Sequence, residues 1–333
     1  MEKLVSVIMP VYQAEKYVSS AVESVLAAAS DEVEVILVDD GSKDNSLKIC
    51  RNFSKRDSRV KVYHQENKGV SSARNAGIQI AQGKYLMFLD ADDTFVSEKW
   101  QDVLSLAGQN TYDFVAYSYY SLYENGKKTE ERFPMEKEIS CDRDFLMRLL
   151  LGSPLLCTCW GKLFRNSIVQ RYNIQFPLKM EIGEDYLFVM EYIKHAEKTA
   201  LVNKCVINYY QNSSSVMRNF KYEQRVRCMK HIWEYCREYT GDIQHQKYLP
   251  CMSMHQFCNV SYYARVICQS MKRKQALKSL ENILNERFVQ EIFDMVDRSS
   301  LSGYRKGEYY LLHSRRSRLI WGYFKVKALV KTD

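Results

Sequence analysis

The first 110 residues switch repeatedly between two hydrophobic periods. Short apolar runs rich in β-branched residues at Val5–Val11 (VSVIMPV), Val33–Val38 (VEVILV), Val60–His64 and Tyr85–Leu89 (YLMFL) read as strands. Between them, Glu15–Ala28 carries Tyr17, Ala21, Val25 and Ala28 at helical spacing, and Ser46–Phe53 and Ser71–Ala81 read as shorter helices. Near-continuous apolar strands alternating with helices predict an α/β fold, a mostly parallel sheet flanked by helices on both faces. Farther on the pattern is mixed: Val115–Tyr123 and Thr199–Tyr210 read as strands, Asp142–Leu151 and Glu184–Lys194 as helices. From about Lys221 the strand signals vanish, and helical patterns cover 221–240, 246–270, 273–296 and 308–330. The expected organisation is one domain over 1–215, built from halves 1–110 and 111–215, followed by an all-helical region over 216–333.

Polar residues interrupt this pattern in a telling place. Asp39-Asp40-Gly41-Ser42 and Asp90-Ala91-Asp92-Asp93 both follow apolar strands directly. In open α/β sheets the carboxyl ends of the strands are the ligand-binding edge. Carboxylates crowded there repel one another unless a cation or a set of donors neutralises them, and hard oxygen ligands select Mg²⁺ or Mn²⁺ rather than zinc. Asp44 and Ser46 are better read as turn and cap residues of the next helix. Gly183-Glu184-Asp185 opens a helix, where acids are favourable against the dipole for purely structural reasons. A dinucleotide-binding oxidoreductase needs a glycine-rich turn after its first strand. The chain has Pro10-Val11-Tyr12-Gln13 there, which excludes that class.

Length and charge refine the picture. A chain of 333 residues accommodates two domains. No apolar run approaches the ~18 residues that would span a bilayer, and the N-terminus lacks the basic region and cleavage site of a signal peptide. The ten cysteines are therefore expected as reduced thiols in cores, and Cys157-x-Cys159 lacks the spacing of a zinc site. Residues 1–110 carry a net −3, whereas 221–333 carry +10 of the chain's total of +8. The segment Arg315–Lys327 adds Trp321, Tyr323 and Phe324 to the basic residues. A basic, aromatic segment of this kind suits an anionic bilayer surface, or equally a packing helix with a solvated basic face.

Four motifs occur in order: Val-Ile-Met-Pro-Val-Tyr (7–12), Val-Asp-Asp-Gly-Ser (38–42), Lys-Gly-Val-Ser-Ser-Ala-Arg-Asn-Ala-Gly (68–77) and Phe-Leu-Asp-Ala-Asp-Asp (88–93). Together they resemble the inverting family 2 glycosyltransferases with the GT-A (Rossmann-like) nucleotide-sugar fold. Trp160–Arg165 and Gly183-Glu184-Asp185 resemble the acceptor-side motifs of bacterial capsular and exopolysaccharide members. Gln13 departs from that pattern, which usually has Asn.

The resemblance implies a nucleotide-sugar-binding half (1–110) and an acceptor-side half (111–215). Pro10, Val11 and Tyr12 line the base pocket, and Asp40, or else Asp39, accepts from the uracil ring. Asp90 contacts the ribose or the water shell of the metal, and Ala91 belongs with it to the nucleotide-sugar-binding Asp-x-Asp motif. Asp92 or its neighbour Asp93 ligates Mn²⁺ or Mg²⁺ on the diphosphate. Lys68, Gly69 and Arg74 flank a helix start suited to nucleotide or phosphate charge, although Arg74 also reads as a solvated helix charge. Asp185 becomes the general base, supported by Glu184, and Ser213-Ser214-Ser215 becomes a loop over the diphosphate.

The expected activity is transfer of a sugar from a UDP-sugar to a hydroxyl of a glycan or lipid-linked acceptor. It proceeds with inversion by direct displacement, in surface polysaccharide synthesis. The expected location is the cytoplasm, peripheral on the inner face of the cell membrane, with no nucleic-acid partner because no such motif is present. The competing readings are a non-catalytic nucleotide- or membrane-binding partner of a polysaccharide assembly complex, and a nucleotidyltransferase.

Overall fold

A computed structural model of the chain describes residues 2–27, 29–135, 139–180, 182–211 and 222–330. Ser213–Ser215 and the expected boundary at 215/216 lie outside the described residues. The chain divides into two compact units, residues 1–150 with 154–219 and residues 151–153 with 220–333.

The first unit is built on a mixed sheet of ten described strands. They are β1 (Val5–Val11), β2 (Val33–Asp40), β3 (Val60–Gln65), β4 (Tyr85–Phe88), β5 (Thr94–Phe95), β6 (Phe114–Tyr123), β7 (Lys128–Glu131), β8 (Ile139–Cys141), β9 (Lys162–Arg165) and β10 (Thr199–Gln211). Strands run in the order β3-β2-β1-β4-β9-β6-β10-β5. The β3-β2-β1-β4 block and the β6-β10 pair are parallel, and β9 lies antiparallel between β4 and β6. Every residue of β2 is buried, as a strand covered on both faces requires. Asp39 and Asp40 belong to β2 itself, two residues beyond the apolar run.

The helices of this unit are α1 (Val18–Leu26), α2 (Ser46–Arg56), α3 (Val70–Ile80), α4 (Trp100–Gln109), α5 (Arg143–Gly152), α6 (Asn166–Arg171) and α7 (Glu184–Ile193). The odd residues of β1 (Val5, Val7, Met9, Val11) pack with Val18, Val22 and Val25 of α1 and Trp100 and Val103 of α4. α4 escaped the sequence reading, although Trp100, Val103 and Ala107 keep helical spacing and are all buried. α5 begins where expected, with Asp142 Oδ1 accepting from Phe145 N at 2.8 Å. An aromatic cluster lies under the carboxyl edge of β4. Phe176 stacks on Phe188 of α7 at 4.0 Å, and Phe88 of β4 meets both edge-on at 5.2 and 5.5 Å. Phe164 of β9 meets Phe188 at 5.4 Å and Tyr192 at 5.0 Å. These contacts fix the start of α7 beside the ends of β1 and β4.

The second unit is helical: α8 (Tyr222–Thr240), α9 (Leu249–Ser270), α10 (Arg273–Leu284), α11 (Arg287–Met295), α12 (Gly303–His313) and α13 (Ser317–Val330). The patterns over 273–296 and 308–330 are each broken in two. Glu286 turns to extended backbone after α10, and Arg315 takes φ 55° after α12. Apolar periodicity registers neither event. Buried Glu308 of α12 joins three helices, accepting from Ser261 Oγ of α9 at 2.9 Å and from Tyr323 Oη and Lys327 Nζ of α13. Phe324 is buried, whereas Arg315, Arg316, Arg318, Leu319 and Val326 are exposed. Of the aromatic residues of the tail, Phe324 packs inside while Trp321 and Tyr323 are partly exposed. No disulfide joins the cysteines among the described residues. No helix among the described residues is long and apolar enough to cross a membrane.

The seat of α3 on β1 needs a bare backbone at Gly77, where an added Cβ meets Ile8 Cγ2 at 2.4 Å. Gly77→Ala gains up to about 1 kcal/mol in helix propensity, but overpacking costs about 1–3 kcal/mol. We expect net destabilisation, read as a lower urea midpoint with unchanged slope.

Candidate active site

The site is assembled where the parallel strands end. At the end of β1, Val11 is buried, Pro10 is half-buried and Tyr12 presents 46% of its surface. The loop after β1 is zipped to the loop after β2. Gln13 N donates to Ser42 Oγ, Ala14 N to Ser46 Oγ and Glu15 N to Asp44 Oδ2, at 3.1, 2.8 and 3.1 Å. Asp44 and Ser46 are thus structural, as their turn chemistry suggests. Gln13 adopts φ 48°, a left-handed conformation that Asn tolerates better than Gln, which gives the unusual residue there a physical meaning.

Asp39 is fully buried. Its Oδ2 lies 2.8 Å from His64 Nδ1 and accepts from Ser42 N, while its Oδ1 is buried without a partner. Asp40 is 3% exposed, and its carboxylate closes on the turn that enters α3. Oδ1 accepts from Gln65 Nε2 and Lys68 N at 2.7 and 2.9 Å, and Oδ2 from Gly69 N at 2.8 Å. Lys68 and Gly69 are brought to the edge through their amides, and the Lys68 side chain is exposed.

The centre of the site is Arg74 of α3. Sequence left it undecided between a nucleotide contact and a solvated charge; its side chain is only 4% exposed. Nη2 donates to Asp90 Oδ1 at 2.8 Å, and Nη1 to Asp185 Oδ1 at 2.6 Å and Glu184 Oε1 at 3.1 Å. Its guanidinium lies over the Phe176 ring, 5.2 Å from the centroid. Burial opposes its charge, but Asp185, Asp90 and Glu184 outweigh burial and raise its pKa above the ordinary value. Neighbouring Asn75 clips the aromatic layer beneath, donating to Phe176 O at 2.9 Å and accepting from Phe176 N at 2.8 Å.

Gly183, at φ 89°, turns the chain into α7 so that Glu184 and Asp185 meet this guanidinium. Asp185 has a second donor, Cys159 N, 3.0 Å from Oδ2. Burial, and then the charge of Asp185, push the Glu184 carboxyl upward. Asn75, Phe176 and the Cys159 amide were not found by sequence reasoning. Only Asn75, inside the 68–77 motif, carried a signal there.

The acids after β4 diverge. Asp90 faces Arg74. Asp93 is 1% exposed and points inward, its Oδ1 accepting from Tyr210 N at 2.8 Å and its Oδ2 buried without a partner. That leaves Asp92, partly exposed, as the carboxylate at the opening. Burial and the charge of Asp90 push its pKa up to about 6. Among the described residues no group of three or more His, Cys, Asp or Glu side chains forms a metal cage. A lone strained carboxylate fits Mg²⁺ or Mn²⁺ only as a partner to substrate phosphates, which is how Mg²⁺ is commonly bound. Asp92 suits that role and Asp93 does not.

Residues 6–172 match the family model described as glycosyl transferase family 2. Two Bacillus subtilis (strain 168) proteins named as glycosyltransferases, EpsH and EpsJ, are each 30% identical over 219 and 223 residues, 65% of this chain. The match spans about 63% of each relative's length. The crystal structure of S. aureus TarS 1–349 in complex with UDP superposes with a TM-score of 0.73 at 18% identity, over 98% of this chain and 92% of that one. TarS 1–349 in complex with UDP-GlcNAc gives the same TM-score at 20% identity, over 98% and 90%. Since the model covers half of its length, the chain belongs to glycosyl transferase family 2, and its fold is that of TarS.

Two measurements test the charge balance. Arg74→Met leaves three carboxylates facing one another, and breaking a buried pair of this kind costs about 3–5 kcal/mol; the urea midpoint should fall accordingly at pH 7.5. Asp92, whose folded pKa of about 6 lies above its unfolded value of 3.8, binds its proton more tightly in the native state. Its penalty is absent at low pH and develops as pH rises through about 4 to 6. Metal-free Asp92→Asn should therefore be more stable than the wild type at pH 7.5, by about 1–3 kcal/mol, with the margin shrinking toward pH 4.

Proposed function

We propose that the protein transfers a sugar from a UDP-sugar to a hydroxyl of a glycan or lipid-linked acceptor, with inversion by direct displacement, in surface polysaccharide synthesis. One observation carries this reading. A single buried guanidinium joins Asp90 of the donor motif to Glu184 and Asp185 of the acceptor motif. Donor and acceptor chemistry then share one electrostatic unit at the ligand-binding edge. The UDP and UDP-GlcNAc named in the TarS complexes support a uridine donor.

Pro10 and exposed Tyr12 form the wall for the base; Val11, expected beside them, is instead buried in the core behind it. Asp40, with Asp39 behind it, shapes the floor through the Lys68 and Gly69 amides. Asp92 is the ligand offered to Mn²⁺ or Mg²⁺, which when bound neutralises charge on the departing diphosphate. Asp185 takes the proton of the acceptor hydroxyl. With one oxygen on Arg74 and the other on Cys159 N, the carboxylate is fixed in orientation and keeps lone pairs for that proton. Glu184 shares the guanidinium and orients the acceptor. Because base and leaving group act from opposite sides of the anomeric carbon, one displacement inverts it. The +10 charge of residues 221–333 favours an anionic membrane surface, where lipid-linked acceptors lie.

The test is nucleoside diphosphate release from UDP-, GDP- and dTDP-sugars with and without Mn²⁺. We expect UDP release that requires Mn²⁺. Binding without turnover favours the non-catalytic reading, and diphosphate release from a nucleoside triphosphate favours a nucleotidyltransferase. Asp185→Asn should lower turnover about 10²–10⁴-fold with donor affinity nearly unchanged. If it stays active while Glu184→Gln is dead, the two roles are exchanged.

A further inference from the structure

Lys162, the first residue of β9, is 3% exposed, and no carboxylate lies within ion-pair distance of it among the described residues. An ammonium buried without a direct ion pair is costly, so its position asks for a reason. Nζ donates to Thr158 Oγ1 at 3.1 Å and to Trp160 O at 3.3 Å. Those acceptors stand on either side of Cys159, whose N–H is the second donor to Asp185. Gly161, at φ 66°, folds the chain back so that the turn wraps around the amine. Its neighbour Trp160 is held from the other side by stacking on Tyr209 at 5.2 Å. Burial pushes the Lys162 pKa down to about 8, with the charge of Asp185 among the causes that oppose the fall, so the amine still carries its proton at neutral pH.

We infer that Lys162 is a positioning residue for Asp185: its ammonium braces the Thr158–Trp160 turn in the one shape that aims the Cys159 amide at the carboxylate. The inference rests on the reading of Asp185 as the base. In this arrangement Asp185 is held between two anchors of different origin, the Arg74 guanidinium from the donor half and an amide whose direction Lys162 sets. Loss of the second anchor leaves the carboxylate free to rotate about the first. A misplacement of about 1 Å at a reacting group can lower a rate about 10²-fold.

The experiment compares Lys162→Met and Thr158→Val in the full chain, each also combined with Asp185→Asn. Turnover is read on whichever of UDP-glucose, UDP-galactose, UDP-N-acetylglucosamine and UDP-N-acetylgalactosamine the wild type uses. Bracing is read separately, by hydrogen exchange at the Cys159 amide. We expect Lys162→Met to unfold at the wild-type temperature or above it, because an unpaired buried charge is removed. Exchange at Cys159 should accelerate about tenfold or more. Turnover should fall about 10–100-fold with donor KM within about twofold. Thr158→Val, which removes one acceptor at nearly constant volume, should move the same quantities less. With Asp185→Asn present, Lys162→Met should change turnover by less than about twofold.

Unchanged Cys159 exchange in both variants overturns the inference. So does a fall in unfolding temperature accompanied by a rise in donor KM, or a turnover effect that multiplies with Asp185→Asn. An active Asp185→Asn enzyme removes the reading of the base instead, and the exchange measurement still decides whether Lys162 holds the turn.

Discussion

Three carboxylates must share one guanidinium, and much of the first unit follows from that requirement. Asp90, Glu184 and Asp185 come from two distant parts of the chain, and left alone they repel. Arg74 reconciles them only because α3 carries it to within 3.1 Å of all three. To reach them, α3 lies close against β1 at Gly77, and α7 starts at the edge of β4. The aromatic layer of Phe88, Phe164, Phe176 and Phe188 holds these pieces in place, and Asn75 ties that layer to the helix that bears Arg74. The polar centre therefore stands on an apolar base that sets its geometry.

The first 110 residues were legible because β1, β2 and β4 are almost wholly buried and carry near-continuous apolar runs. The motifs at their ends could be placed once the strands were. β9 was hidden for the opposite reason: four residues that begin with Lys162 and end with Arg165 look nothing like a central strand, and the buried amine masks it. The breaks after Leu284 and His313 were also invisible, because the hydrophobic period survives a change of helix axis. Arg74 posed the hardest case. Its partners lie 16, 110 and 111 residues away, and no local pattern reports on a contact of that range. The different settings of Asp92 and Asp93 turn on one backbone amide, that of Tyr210, which draws Asp93 inward.

The helical unit applies a similar device to a different end. Glu308 is a buried carboxylate that collects Ser261, Tyr323 and Lys327 from two neighbouring helices. Its partners are a hydroxyl, a phenol and an amine, so the charge is balanced within the packing. The aromatic residues of α13, conspicuous in sequence, contribute to that packing, and the arginines before it remain at the surface.

The antiparallel course of β9 has an evolutionary consequence. Parallel strands deliver to the ligand-binding edge the residues that follow them, whereas a reversed strand delivers those that precede it. Donor motifs therefore sit on strand exits, each followed by a helix that must return across the sheet. The Thr158–Trp160 turn sits on a strand entrance, just after the buried Leu156. Exchanges in that turn act at the entrance of β9, apart from the β1–β2 register. The two kinds of motif can thus vary separately, one tied to the helix that follows its strand and the other to the turn before β9.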